Sequence, residues 1–215
     1  FTYLKPKVAI SWAINQQTQL RLRAEHEVGQ VGFASYLTYS DNTTGQIRLG
    51  NPNLKPNRAY VGEAVLQRSF WTGGDLSVTV RPKALRDLID IAPIRVSSGV
   101  VGAISNIGSG RQTEVIANLT LPLKRLGVTG GTLKGSVTWK RMRVTDPTDG
   151  LRRPLSGSPA VLAELHYAQD LPAWKLNLGV DGFYRGAATD YRPFGNSADG
   201  AWTHINLFAE YRPTP

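Results

Sequence analysis

Cysteine is absent from all 215 residues. That excludes a disulfide framework and any metal site built on thiolates. Long apolar runs are missing too. None approaches the ~18 residues that a membrane-crossing helix needs, so only a β-barrel could carry this chain through a bilayer. Clustered charge of one sign is also lacking. The net charge is +9, yet no five Lys or Arg stand together, and Arg152-Arg153 is the one arginine doublet. Such scattered charge does not make a dedicated nucleic-acid surface, and no nucleic-acid partner is expected. With 41% hydrophobic and 19% charged residues the chain is too apolar for disorder. It starts at Phe1, without an initiator methionine or a leader, as expected of an excerpt or a processed product.

Catalytic constellations are equally scarce. His26, His166 and His204 are scattered, and His166 and His204 read as polar residues on a strand face. Ser156-Gly157-Ser158 is not a nucleophile elbow, and Gly108-Ser109-Gly110 lacks the strand–GxGxxG–helix context. Asn118-Leu119-Thr120 matches a glycosylation sequon but falls inside a strand pattern. The chain is therefore expected to be no enzyme, with no cofactor and no metal site.

What is present is alternation. Val8, Ile10, Trp12 and Ile14 alternate with Lys7, Ala9, Ser11 and Ala13, which is the period of a strand with one apolar face. Leu20, Leu22 and Ala24 alternate with Arg21, Arg23, Glu25 and Glu27, a charged face that no ordinary core accepts. The pattern returns at 59–70, 76–83, 113–123, 132–144, 160–170, 174–184 and 203–212. Residues 84–93 read as an extended strand top and 94–110 as a Gly/Ser-rich loop. The total is about nine strands, most near the ~9–11 residues that cross a bilayer as tilted β-structure. Short connections near 15–18, 71–74, 124–130 and 171–173 alternate with long ones near 28–58, 94–110, 145–159 and 186–201. Short turns on one rim and long loops on the other mark outer-membrane barrels. Trp12, Phe70, Trp174 and Tyr211 fall on the apolar face beside short turns; Tyr60 and Tyr184 fall on it beside long loops. That is a two-girdle distribution. The predicted fold class is all-β: an antiparallel up-and-down meander forming a segment of a transmembrane β-barrel.

Gly50-Asn51-Pro52-Asn53-Leu54-Lys55-Pro56 interrupts this pattern as a rigid loop, because two prolines fix φ and remove backbone donors. The stretch resembles the GNPNLKPE loop signature of the β-barrel of TonB-dependent outer-membrane receptors. Leu85-Arg86-Asp87-Leu88-Ile89-Asp90 resembles the strand top before an outer loop in those barrels. Ser105-Asn106-Ile107-Gly108 resembles the NIG-type element after it, and Asn206-Leu207-Phe208-Ala209-Glu210-Tyr211 a late barrel strand. Asn57 departs from the family pattern, which has Glu there. The resemblance covers nearly the whole chain and implies a partial receptor barrel over 1–215, about nine strands with four long outer loops. No plug domain, TonB box or aromatic-ended terminal strand lies in this range. It further implies a bacterial outer-membrane active transporter for a scarce ligand: a siderophore, cobalamin or oligosaccharide. The implied partners are outer-membrane lipid, a small-molecule ligand, and the TonB complex through a plug absent from this range.

Candidate substrate-binding residues lie in the long loops. Tyr36 and Tyr39 offer stacking surface, and Arg152 and Arg153 offer bidentate donors. Tyr191, Arg192, Phe194 and Trp202 place aromatic faces beside a cation. The charged strand faces suit a polar lumen and also the solvated side of a soluble sheet. The alternative is therefore a soluble β-sandwich or barrel-like carbohydrate-binding module.

Overall fold

The computed structural model describes residues 3–41, 46–97, 99–192 and 195–213, leaving out the side chains of 39–48 and Val96. In chain order, β1 (Lys7–Asn15) and β2 (Thr18–Val28) lead into a 3₁₀ turn (Phe33–Tyr36) and two short strands, β3 (Tyr39–Asp41) and β4 (Gln46–Arg48). β5 (Arg58–Phe70) and β6 (Gly74–Arg86) follow, then the hairpin of β7 (Ile89–Val96) and β8 (Gly99–Asn106). β9 (Gly110–Pro122), a second 3₁₀ turn (Leu123–Leu126), β10 (Gly131–Thr145) and the two-residue β11 (Arg152–Arg153) come next. The chain continues through β12 (Val161–Leu171), a third 3₁₀ turn (Pro172–Trp174), β13 (Leu176–Arg185), β14 (Ala188–Asp190), β15 (Ser197–Asp199) and β16 (Trp202–Tyr211).

Nine of these strands form one antiparallel wall in the order β1-β2-β5-β6-β9-β10-β12-β13-β16, with β11 added at the upper part of β10. Among the described residues each wall strand pairs with its neighbours along the wall, β10 taking β11 in addition, so the sheet is a meander, as the alternation predicts. The register keeps the apolar faces aligned. Ile10 stands opposite Leu22, Leu22 opposite Ala64, Ala64 opposite Val80 and Val80 opposite Val115. Val115 then faces Trp139, and Trp139 faces Val161. Because side chains alternate with period two, one such row carries every second residue to the same side.

That side is uncovered. Val137 is 47% exposed and Leu207 81%. A soluble two-layer sandwich would have to bury both in one dry core, whereas among the described residues the wall is a single layer. The small buried core lies on the opposite, inner face, near the long loops. There Ala59, Val61, Leu85, Leu88 and Val144 pack together, with Ile107, Met142 and Leu155 against them.

Three local expectations are corrected. The segment 94–110 is not a loop: β7 and β8 pair in register from Ile89↔Asn106 to Val96↔Gly99. Ile89, Ile91, Ile94, Val100, Val101 and Ile104 supply the β-branched residues that a Gly/Ser reading overlooks. The extended strand top at 84–93 is broken at Asp87, whose φ of 53° turns the chain off the wall. Asp tolerates that left-handed conformation better than most side chains do. Trp174 sits in a 3₁₀ turn rather than on a strand, although it still lies at the short-turn rim.

Candidate functional site

The inner face carries a row of alternating charge. The Arg23 Nε and Nη2 donate to the two oxygens of Glu63 at 2.9 Å each. The Arg81 Nε donates to the same carboxylate at 2.7 Å and its Nη1 to Glu114 at 3.0 Å. Lys83 reaches Glu27 at 3.0 Å. The residues meet because the register sets Arg23 opposite Glu63 and Arg81 opposite Glu114. Opposed opposite charges contribute roughly 0.2–1 kcal/mol per pair. Further along this face is a depression of about 520 Å³ lined by Lys134, Glu164, His166, Asp181, His204 and Asn206, among others. His166 bonds the Asp181 carboxylate through Nδ1. His26 lies on the other face, stacked on Tyr60 at 4.7 Å.

Above the wall the long connections lock together. The proline-punctuated loop docks on the β7–β8 hairpin. The Asn51 amide donates to the Ile104 carbonyl at 3.2 Å, and the Lys55 N–H donates to Asn106 Oδ1 at 2.9 Å. The Asn106 amide donates in turn to the carbonyls of Lys55 (2.9 Å) and Asp87 (2.8 Å). The two motifs that resemble receptor signatures therefore hold each other. Leu54 of the same loop is buried, 1% exposed. Gly50 is needed here, since a Cβ would lie 2.4 Å from the Leu37 carbonyl carbon.

The hairpin then joins the third connection, 146–160. Arg153 donates to Asp90 of β7 at 3.0 Å, to Asp146, and to its neighbour's carbonyl at Pro154 (3.0 Å). The Ser156 hydroxyl donates to the same Asp90 carboxylate at 3.0 Å. The Tyr191 N–H from the last long connection donates to Ser156 Oγ at 3.1 Å, and the Gly157 N–H donates to the Thr189 carbonyl at 3.1 Å. The Tyr191 ring lies 4.5 Å from the Arg153 guanidinium, within cation–π range. Burial pushes the Arg153 guanidinium down, but its hydrogen bonds to the Asp146 and Asp90 carboxylates outweigh that and hold it above its ordinary range. Burial pushes the Asp146 carboxyl up; the Thr148 N–H and Arg153 outweigh that and hold it below its ordinary range.

The sequence-derived candidates divide accordingly. Arg153 and Tyr191 meet in this knot. Arg152 is exposed beside it, and Arg192 is exposed with Asp190 3.9 Å away. Tyr36 is half-buried in the first 3₁₀ turn. Trp202 is not a loop residue: it opens β16 opposite Arg185, and its ring lies 5.2 Å from that of Phe183 on the inner face, tilted at 45°. The Tyr39 side chain and Phe194 lie outside the described residues. Asp90, Asn106, Ser156 and Asp146 are not among the sequence-derived site candidates, although Asp90 and Asn106 stand in the motifs that carry the resemblance. Asp146-Pro147-Thr148-Asp149-Gly150 carried a signal, since Asp146 caps the turn by accepting the Thr148 N–H at 2.7 Å.

A family model described as "TonB dependent receptor-like, beta-barrel" matches residues 1–215. Among curated proteins there is no match. The ferric enterobactin receptor PfeA of Pseudomonas aeruginosa superposes with a TM-score of 0.69 at 16% identity, over 98% of this chain and 32% of that one. The siderophore receptor PirA of Acinetobacter baumannii gives 0.68 at 12% identity, over 98% and 35%. The copper transporter OprC gives 0.69 at 13% identity, over 97% and 31%. The chain thus spans about a third of the length of these structures.

Proposed function

The chain belongs to the TonB-dependent receptor-like β-barrel family, and on that premise we propose that it is part of the wall of an outer-membrane active transporter. In this reading residues 1–215 are one partial barrel, with a plug outside this range. The uncovered face meets lipid, the charged face lines the lumen, and the long connections stand outside the cell. They capture a scarce small ligand, which passes inward when TonB acts on the plug. The work is transport rather than catalysis.

The observation that carries this reading is the pairing of an exposed apolar face with interlocked outer loops. A wall of this kind is stable only where hydrocarbon covers one side, and the knot around Arg153 gives the outer loops a fixed shape. Exposed Arg152 and Arg192, with Tyr36, Tyr39, Tyr191 and Phe194, are the proposed ligand contacts. Arg153 acts behind them by holding Tyr191. Trp202 and Phe183 form an aromatic step just inside the lumen. Two of the similar structures are siderophore receptors and one is a copper transporter. A siderophore is therefore the first ligand class to test, ahead of cobalamin and oligosaccharides. The test is growth of a deletion strain on a panel of iron chelates, cobalamin and oligosaccharides as limiting nutrients. Loss of growth on one compound, restored by the intact gene, identifies the ligand. Unchanged growth and uptake across the panel would overturn the reading.

A further inference from the structure

Above its apolar band, on the long-loop side, the outward face changes character. The register runs from Val115↔Trp139 through Thr113↔Arg141 to Arg111↔Arg143. Arg111 also stands opposite Ala84, one diagonal step from Arg86. All four arginines are exposed. Arg86 lies 5.9 Å from the Tyr60 ring. Arg58, opposite Arg86, is neutralised by Asp87 at 2.5 Å. Among the described residues no carboxylate pairs with Arg86, Arg111, Arg141 or Arg143.

Like charges directly opposite each other weaken a sheet. The inner face avoids this, since Arg23 and Arg81 each stand opposite a glutamate. Arg111 facing Arg143 therefore calls for an anion from outside the chain. Guanidinium forks fit phosphate oxygens two at a time. A hollow of about 340 Å³ opens beside them, lined by Trp139, Arg141, Arg143, Pro154, Ala187 and Tyr191, among others. It borders the apolar band, so an anion seated there can carry acyl chains down past Val115 and Val137. A free anion would make no use of that band.

We infer that these four arginines hold the phosphate groups of a phosphorylated membrane lipid at the outer rim. Arg111 and Arg143 bracket one phosphate, and the headgroup occupies the hollow beside Arg141. The inference rests on the membrane reading above. It also gives one source for part of the net charge of +9, since these cations are neutralised by lipid rather than by the chain.

The test uses the full-length receptor in detergent micelles, titrated by native mass spectrometry with diphosphorylated lipid A, its dephosphorylated form, and inorganic phosphate. Removing the phosphates should weaken binding at least tenfold. The double substitution R111Q/R143Q should weaken binding of the diphosphorylated form at least tenfold, while R125Q at the opposite rim should leave it unchanged. Equal binding of the two lipid forms, indifference to R111Q/R143Q, or inorganic phosphate binding as tightly as the lipid would overturn the site. A second reading guards against misfolding. In lipid-free micelles R111Q alone should raise the unfolding temperature by relieving repulsion, and a fall would overturn the argument. Brominated acyl chains should quench tryptophan fluorescence of the unmodified receptor. Absence of quenching would sink the membrane reading and the site with it; quenching without phosphate dependence would sink the site alone.

Discussion

Arg153 donates to Asp90 at 3.0 Å across 63 positions of sequence, and both side chains are more than nine-tenths buried. Breaking a buried pair leaves one uncompensated charge and costs about 3–5 kcal/mol. Arg153→Ala should release that energy locally, because the wall strands do not depend on it. Hydrogen exchange should speed up across 146–160 and 186–201 and stay slow in β9 and β13. Equal acceleration everywhere would show that the knot holds the fold rather than the loops.

The two faces of the wall should respond oppositely to charge. Leu207→Arg or Leu178→Arg should cost about 2–4 kcal/mol if the position is mid-bilayer. Asn177→Arg, one residue away on the lumen face, should cost far less. Urea unfolding in lipid bilayers measures the difference. Equal tolerance at both faces would argue for a solvated sheet.

Sidedness can be read on intact cells. Protease added outside should cut the full protein within 28–58 or 145–159 and spare 71–74 and 171–173. The interlocked contacts should slow the first cuts, and Arg153→Ala should hasten those at 145–159. Cutting at the short turns would place the barrel upside down.

Acid should loosen the outer knot. The Asp146 carboxyl is held below its ordinary value, so it stabilises the folded loops fully above that value, about 3.9. The contribution falls away as pH drops through the depressed folded value. Loop protection from exchange should be flat from neutral pH to about pH 5 and decline below about pH 4. Asp146→Asn should lower protection at neutral pH and flatten the acid decline. A variant with the same acid profile as the parent would assign the effect to another carboxyl.

The wall was legible because its information is local. Alternation at Leu20, Leu22 and Ala24 against Arg21, Arg23 and Glu25 needs no partner to be read. The knot was not legible, because its members sit on three connections and are recognised only through one another. Arg152-Arg153 looked like a uniform doublet, yet strand alternation sends one side chain outward and buries the other. Trp202 follows Gly200-Ala201 and so looked like loop, whereas its place at the start of β16 is set by pairing with Arg185. The β7–β8 hairpin was hidden because Ser97 and Gly99 mark only its tip.

Nine strands laid alternately up and down make an odd wall. Its two margins, β1 and β16, both run toward the short-turn rim. Placed side by side they would meet as parallel neighbours, so this wall cannot be rolled shut on itself with an antiparallel seam. A second copy in the same orientation brings margins of the same direction and fails likewise. Whatever completes the cylinder with antiparallel seams must supply an odd number of strands, beginning and ending with one that runs toward the long loops. A barrel of roughly 22 strands leaves an odd remainder after nine, as that parity requires. The direction of two edge strands thus acts as a counting rule on polypeptide that lies beyond them.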